Sequence, residues 1–243
     1  MKLAWFGVAL TLFGSALMAQ TTTDTIPADG GGILITPIYH ASVQIEHAGT
    51  VIQVDPWGAD RYAAAKPADL VLITDIHSDH LDPAAIAKIR KPGAPIVGPA
   101  AVAEKLEGVT VMANGERRTV AGVAIEALPM YNLTRGPAPG QLYHPKGRGN
   151  GYLLTLGGTR VYLAGDTECT PEMRALQHID VAFLPMNLPY TMPPVEAAAC
   201  AKAFKPRIVY PYHYRGSNLQ EFADALKGEP IEVRLREWYP GGA

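Results

Sequence analysis

The chain has 243 residues, 48% of them hydrophobic, with 21 Lys and Arg against 23 Asp and Glu and a formal charge of -2. That composition suits one large domain or two small ones and excludes a disordered or fibrous chain. No basic block tracks a phosphate backbone or an anionic lipid surface, so the expected partner is a small molecule, with neither nucleic acid nor a membrane.

Residues 1–19 carry Lys2, an apolar stretch from Leu3 to Phe13 and small residues before Ala19-Gln20. This is a signal-peptide layout, too short and too poorly flanked for a stable membrane anchor, and it predicts an exported protein in the periplasm or outside the cell. Residues 20–32, polar and Gly-rich, read as a linker, and the domain is expected over 33–243. β-Branched runs at 33–40, 42–56 and 68–77 predict strands, the middle one folding into a hairpin at Ala48-Gly49. Asp82 and Pro83 then supply the cap and first position of a helix over 82–91. Further strands are expected at 94–98, 109–112 and 123–130, with a helix over 99–108. Residues 131–151 hold too much Gly and Pro for regular structure and form the longest loop. Beyond it come strands 151–156 and 159–166, a short helix at 170–176, strand 180–186, helix 193–204, strand 206–214, helix 218–228 and a last strand at 231–238. Each half gives strands first and then alternating strand and helix. The order predicts an α/β fold of two sheets packed face to face with helices outside. Cys169 and Cys200 form no paired-Cys motif and are read as two independent free thiols in preference to a bridge.

The chemistry-bearing side chains fall just past strand ends or in the long loop. Asp75, His77, Asp79 and His80 follow the buried run "LVLIT", Asp166 follows "VYLAG", His213 follows "IVYPY", and His144 sits in the loop. Four donors within six residues after an apolar run are far more than a strand cap needs, and imidazoles with carboxylates suit zinc, with manganese or iron as alternatives. His40 and Asp55 stand where they can orient ligands, Asp82 reads as the helix cap, and His178 as a surface residue. Tyr190, after another strand end, is either an oxyanion donor or a packing residue.

These residues resemble the metallo-β-lactamase fold hydrolases, whose His-x-His-x-Asp-His motif stands here as Asp75-Ile-His77-Ser-Asp79-His80. "VYLAGDTE" is similar to the family's bridging-Asp strand and "IVYPYHY" to its final His strand, with the UlaG-like lactonase branch the nearest in appearance. The resemblance implies a four-layer αββα sandwich and two divalent ions, zinc first: Asp75, His77 and His144 around one, Asp79, His80 and His213 around the other, Asp166 bridging. It departs from the pattern at Asp75, where His is usual, and at Asn132, where the loop often supplies His. A hydroxide held between two such ions would attack a small ester, lactone, amide (β-lactams included) or phosphodiester, with Asp79 holding it in line. The alternatives are a di-iron enzyme that reduces oxygen and a non-catalytic metal-binding protein.

Overall fold

The computed structural model describes residues 22–240. The predicted signal peptide lies outside the described residues. Two seven-stranded sheets follow chain order. The first comprises β1 (Asp24–Ile26), β2 (Ile33–Tyr39), β3 (Ser42–His47), β4 (Thr50–Val54), β5 (Leu70–Leu72), β6 (Ile96–Gly98) and β7 (Val109–Val111). The second comprises β8 (Arg117–Val120), β9 (Val123–Met130), β10 (Gly149–Leu156), β11 (Thr159–Leu163), β12 (Val181–Pro185), β13 (Ile208–Tyr212) and β14 (Glu232–Val233). In each sheet the first four strands pair antiparallel and the last four parallel. The two halves therefore share one topology.

Burial explains the strand sequences. In β2 alternate residues face inward, and Ile33 and Ile35 are fully buried. The parallel strands β5, β12 and β13 are buried throughout, because one face meets the other sheet and the other meets helices. The inter-sheet core joins Ile35, Val43, Ile45, Val54 and Leu72 to Tyr152, Leu154, Leu163, Phe183, Tyr212 and Trp238. Outside the first sheet, α1 (Pro83–Ile89) packs Ala85, Ile86 and Ile89 on Val71 and Ile73, beside α2 (Ala100–Ala103) with Val102. Outside the second sheet lie α3 (Pro171–Arg174), α4 (Pro194–Phe204) and α5 (Leu219–Ala225), which cover Tyr162, Ala182, Leu184 and Val209. The result is the expected αββα sandwich. Asp82 caps α1, its Oδ1 accepting from the N–H groups of Ala84 and Ala85.

Three sequence readings are corrected. Part of the segment read as linker is β1: Ile26 is fully buried, and Asp24 accepts from Arg236 Nη2 at 2.7 Å and Tyr210 Oη at 2.7 Å, so the domain begins before residue 33. Three residues are too short a run for periodicity to reveal. Cys169 and Cys200 are bridged, not free: the chain after β11 returns over α4 and leaves the Cα atoms 5.7 Å apart, inside the window a disulfide requires. The last strand is only Glu232–Val233; beyond it the chain turns inward to bury Trp238. β8, a mostly exposed edge strand, has no apolar pattern to announce it.

Candidate metal centre

The centre sits where the carboxyl ends of β4, β5, β11 and β13 meet, the place where open α/β sheets collect their sites. Ile73 and Thr74 continue β5 into Asp75; Asp55 follows β4, Asp166 follows β11 by two residues, and His213 follows β13 directly. His40, Asp55 and His213 all adopt left-handed backbone angles, with φ of 58, 44 and 47°. Non-glycine residues are uncommon there, and three around one centre show backbone strain held by the surrounding fold. Gly165 has φ 65°, and a Cβ on it would come within 2.4 Å of Met130 Sδ and 3.2 Å of Thr74, so the sheets can meet here only with glycine.

Three imidazoles, those of His80, His144 and His40, are aimed by hydrogen-bonding partners. His80 Nδ1 lies 2.8 Å from Asp55 Oδ2, and Asp55 also accepts from Thr74 N at 2.7 Å and Thr74 Oγ1 at 2.6 Å. An ionised carboxylate only accepts, so His80 carries its proton on Nδ1 and turns Nε2 toward the centre. Asn132 does the same for His144: its Oδ1 accepts from His144 N at 2.8 Å and faces Nδ1 at 2.7 Å, while its Nδ2 donates to the Tyr190 carbonyl at 2.8 Å. His213 is packed between the rings of His40 and His80, at centroid distances of 3.7 and 5.1 Å. His40 Nε2 meets Asp79 Oδ2 at 3.0 Å, and its Nδ1 meets Tyr239 Oη at 2.6 Å. Burial lowers the His40 pKa to about 4, so its ring is neutral and donates to Asp79 while accepting from Tyr239.

The other ring nitrogens are buried without a hydrogen bond: His80 Nε2, His144 Nε2 and both nitrogens of His213. From Asp166 the Nε2 atoms of His144, His213 and His80 lie 3.2, 3.3 and 3.4 Å away. Ligands held at about 2.0–2.1 Å around a tetrahedral ion are separated by about 3.3 Å. The spacing and the orphaned lone pairs both fit a metal ion. Burial would raise the Asp166 carboxyl, but the charges of His213 and His80 hold it well below the usual carboxylate range; burial opposes charge on His80, and Asp166, Asp55 and Asp79 override it and raise its pKa.

The remaining expected donors form a different group. Asp75, fully buried, accepts from Arg148 through two bonds, Nε to Oδ1 at 3.0 Å and Nη2 to Oδ2 at 2.9 Å. His77 Nδ1 lies 2.9 Å from the same Oδ2, and His144 Nε2 3.9 Å from it. Burial pushes the Asp75 carboxyl up, but the His77 ring beside it and the charges of His80, His77 and Arg148 bring it to about 2.

All seven expected donors thus converge on one region, around a cavity of about 680 Å³ lined among others by Trp57, Asp79, Tyr143, Leu188 and Tyr190. Tyr190 stands at its rim, 43% exposed, its ring 4.9 Å from that of Tyr143. His178 is exposed, away from the site. Sequence reasoning missed three supports: Arg148, Tyr239 and the part of Asn132 in aiming His144. The first two lie in "KGRGN" and "WYPGG", where nothing in spacing or type marks them.

A profile described as "Beta-lactamase superfamily domain" matches residues 34–213. The chain is 36% identical over 214 residues to the UPF0173 metal-dependent hydrolase of Thermococcus onnurineus, covering 80% of this chain and 92% of that one. A crystal structure from Parabacteroides distasonis, 43% identical, superposes with a TM-score of 0.84 over 90% of this chain and all of the other. Igni18, a metallo hydrolase from Ignicoccus hospitalis, is 24% identical with a TM-score of 0.69 over 84% of this chain and 95% of its own, a likeness of fold. With a match across most of its length and a centre built for metal, the chain belongs to the β-lactamase superfamily and is one of its metal-dependent hydrolases.

Proposed function

We propose that this exported protein hydrolyses a small ester, lactone, amide or phosphodiester with zinc held in a centre of two adjoining positions. The observation that carries the reading is the set of three orphaned imidazole nitrogens, on His80, His144 and His213, gathered 3.2–3.4 Å from one buried carboxylate. His80, His213 and Asp166 would hold one ion, with Asp79 grouped beside His213 and His40 at its edge; His144 with Asp75 and His77 faces the second position. An imidazole and carboxylate donor set without thiolate, with Asp55 behind His80, suits zinc. Bound there, zinc supplies Lewis acidity and lowers the pKa of water from ~15.7 to ~7.

The chain supplies the rest. Asp79 faces the cavity, partly exposed, and its carboxyl is held anionic: burial opposes this, and the charge of His80 with the hydrogen bond of His40 outweighs it. It can therefore orient an attacking water by accepting a hydrogen bond from it. The cavity volume fits a small molecule. Trp57, Tyr143 and Leu188 give an apolar wall, and the Tyr190 hydroxyl at the rim can reach a substrate oxygen. A disulfide is what an oxidising compartment permits, which supports export. Among the described residues no helix is long and apolar enough to cross a membrane.

Zinc content and turnover on a mixed panel of esters, lactones, lactams and phosphodiesters test the proposal. Activity should vanish on chelation and return with zinc. Asp166→Ala should stay folded while losing zinc and turnover. Wild-type turnover in Asp166→Ala with metal still bound would overturn it.

A further inference from the structure

The two groups of donors differ in one physical respect. Around Asp166 the imidazole nitrogens turned to the centre have no hydrogen-bonding partner. Around Asp75 both oxygens are already engaged by one cation: Oδ1 accepts from Arg148 Nε and Oδ2 from Arg148 Nη2, with His77 Nδ1 a further 2.9 Å from Oδ2. A carboxylate oxygen has two in-plane lone pairs, and the guanidinium takes one on each oxygen of Asp75. The separations agree: from Asp75 Oδ2 the nearest nitrogens of His77 and His144 stand at 2.9 and 3.9 Å, one inside and one outside the tetrahedral spacing of about 3.3 Å. Arg148 also stands with Nη2 3.4 Å from His77 Nε2, so the guanidinium covers both members of this group.

We propose that Arg148 is a resident cation that competes with the metal for Asp75, so that the centre loads unequally, holding one ion tightly at His80, Asp166 and His213 and a second only weakly. An ion entering beside Asp75 must displace a bidentate arginine from a fully buried carboxylate. The Asp75-Arg148 pair is neutral as a unit, like the imidazole that usually stands at position 75. It keeps the carboxylate buried at no net charge whether or not an ion is near, but spends the lone pairs that an ion needs.

The inference rests on the metal-centre reading above, and the same titration separates the two. Apoprotein of the full chain is titrated with zinc by calorimetry, and zinc retained after dialysis is counted per chain, for wild type, Arg148→Met and the double variant Asp75→His/Arg148→Met. Circular dichroism reports the fold. Wild type should retain one zinc and bind a second at least about 10-fold more weakly. Arg148→Met should bind that second ion about 10-fold or more tighter, because Asp75 is released. Should Arg148→Met fail to fold with its buried carboxylate unpaired, the double variant decides: it removes both charges, restores an imidazole and should retain two. Two zinc ions of equal affinity in wild type, an unchanged or weaker second site in folded Arg148→Met, or a single zinc in the double variant would overturn the proposal. No zinc in wild type would instead remove the metal-centre reading, and this inference with it.

Discussion

Asp55 never touches the cavity, yet Asp55→Asn should disable the centre while leaving the fold nearly intact. In the same pose the asparagine Oδ1 still accepts from Thr74 N, as the carboxylate does at 2.7 Å. Its amide NH2 replaces the oxygen that lies 2.6 Å from Thr74 Oγ1 and 2.8 Å from His80 Nδ1. The Thr74 hydroxyl can rotate and accept. His80 must then accept at Nδ1, which forces its proton onto Nε2, the nitrogen turned to the metal. One charge-assisted bond of about 1.5–3 kcal/mol becomes a neutral one of about 0.5–1.5 kcal/mol. Metal affinity should fall about 10–100-fold, or about 1.4–2.8 kcal/mol. Asp55→Ala should behave differently: it leaves three donors unpaired in a fully buried site and should destabilise the apoprotein by about 3 kcal/mol or more. The assay is zinc competition against a chromophoric chelator, with the ring tautomer of His80 read from nitrogen chemical shifts. Unaltered zinc affinity in Asp55→Asn, with the proton moved to Nε2, would refute His80 as a ligand.

Two further predictions concern stability. The disulfide closes 31 residues of sequence, for which the loop-entropy relation gives about 3.7 kcal/mol, so Cys169→Ser with Cys200→Ser should lower the unfolding free energy by about that amount, and an unchanged denaturant midpoint would contradict it. Burial tends to raise the Asp24 carboxyl, but Arg236, Tyr210 and Arg234 outweigh it and hold its pKa below the usual 3.8. Its stabilisation is therefore present above 3.8 and disappears as pH falls through the lower folded-state value. Asp24→Asn should be less stable than wild type by about 1–2 kcal/mol at neutral pH, with the gap closing in strong acid; a pH-independent gap would show that the charge is not the source.

Much of this was legible in the chain because burial on both faces writes parallel strands as apolar runs. "LVLIT", "VAFLP" and "IVYPY" announce themselves, and the polar residues that end them mark the site. The donors around Asp166 were readable for that reason. What could not be read were contacts made across the chain by residues of ordinary type. Arg148 reaches Asp75 from 73 positions away, and Tyr239 reaches His40 from 199 away. The bridge between Cys169 and Cys200 was missed for the same cause, since only the return of the chain over α4 brings them together. β8 was missed for another: an exposed edge strand needs no apolar residues.

The division of ligands between the two sheets has its own consequence. Of the candidate donors, Asp75, His77, Asp79 and His80 descend from the first half of the chain and His144, Asp166 and His213 from the second, and neither half holds a full set. The centre is therefore a property of the interface, and its precision is inherited from packing beneath it. Tyr152 donates across that interface to the Ile73 carbonyl at 2.7 Å, and Tyr212 accepts from Gly165 N at 2.8 Å within the second half. These two hydroxyls fix the strand ends from which Asp75 and Asp166 project. In this architecture a core tyrosine works as a spacer for the catalytic chemistry: its removal would shift one ligand plane against the other, and a substitution made out of sight of substrate would be felt first as misfitted metal.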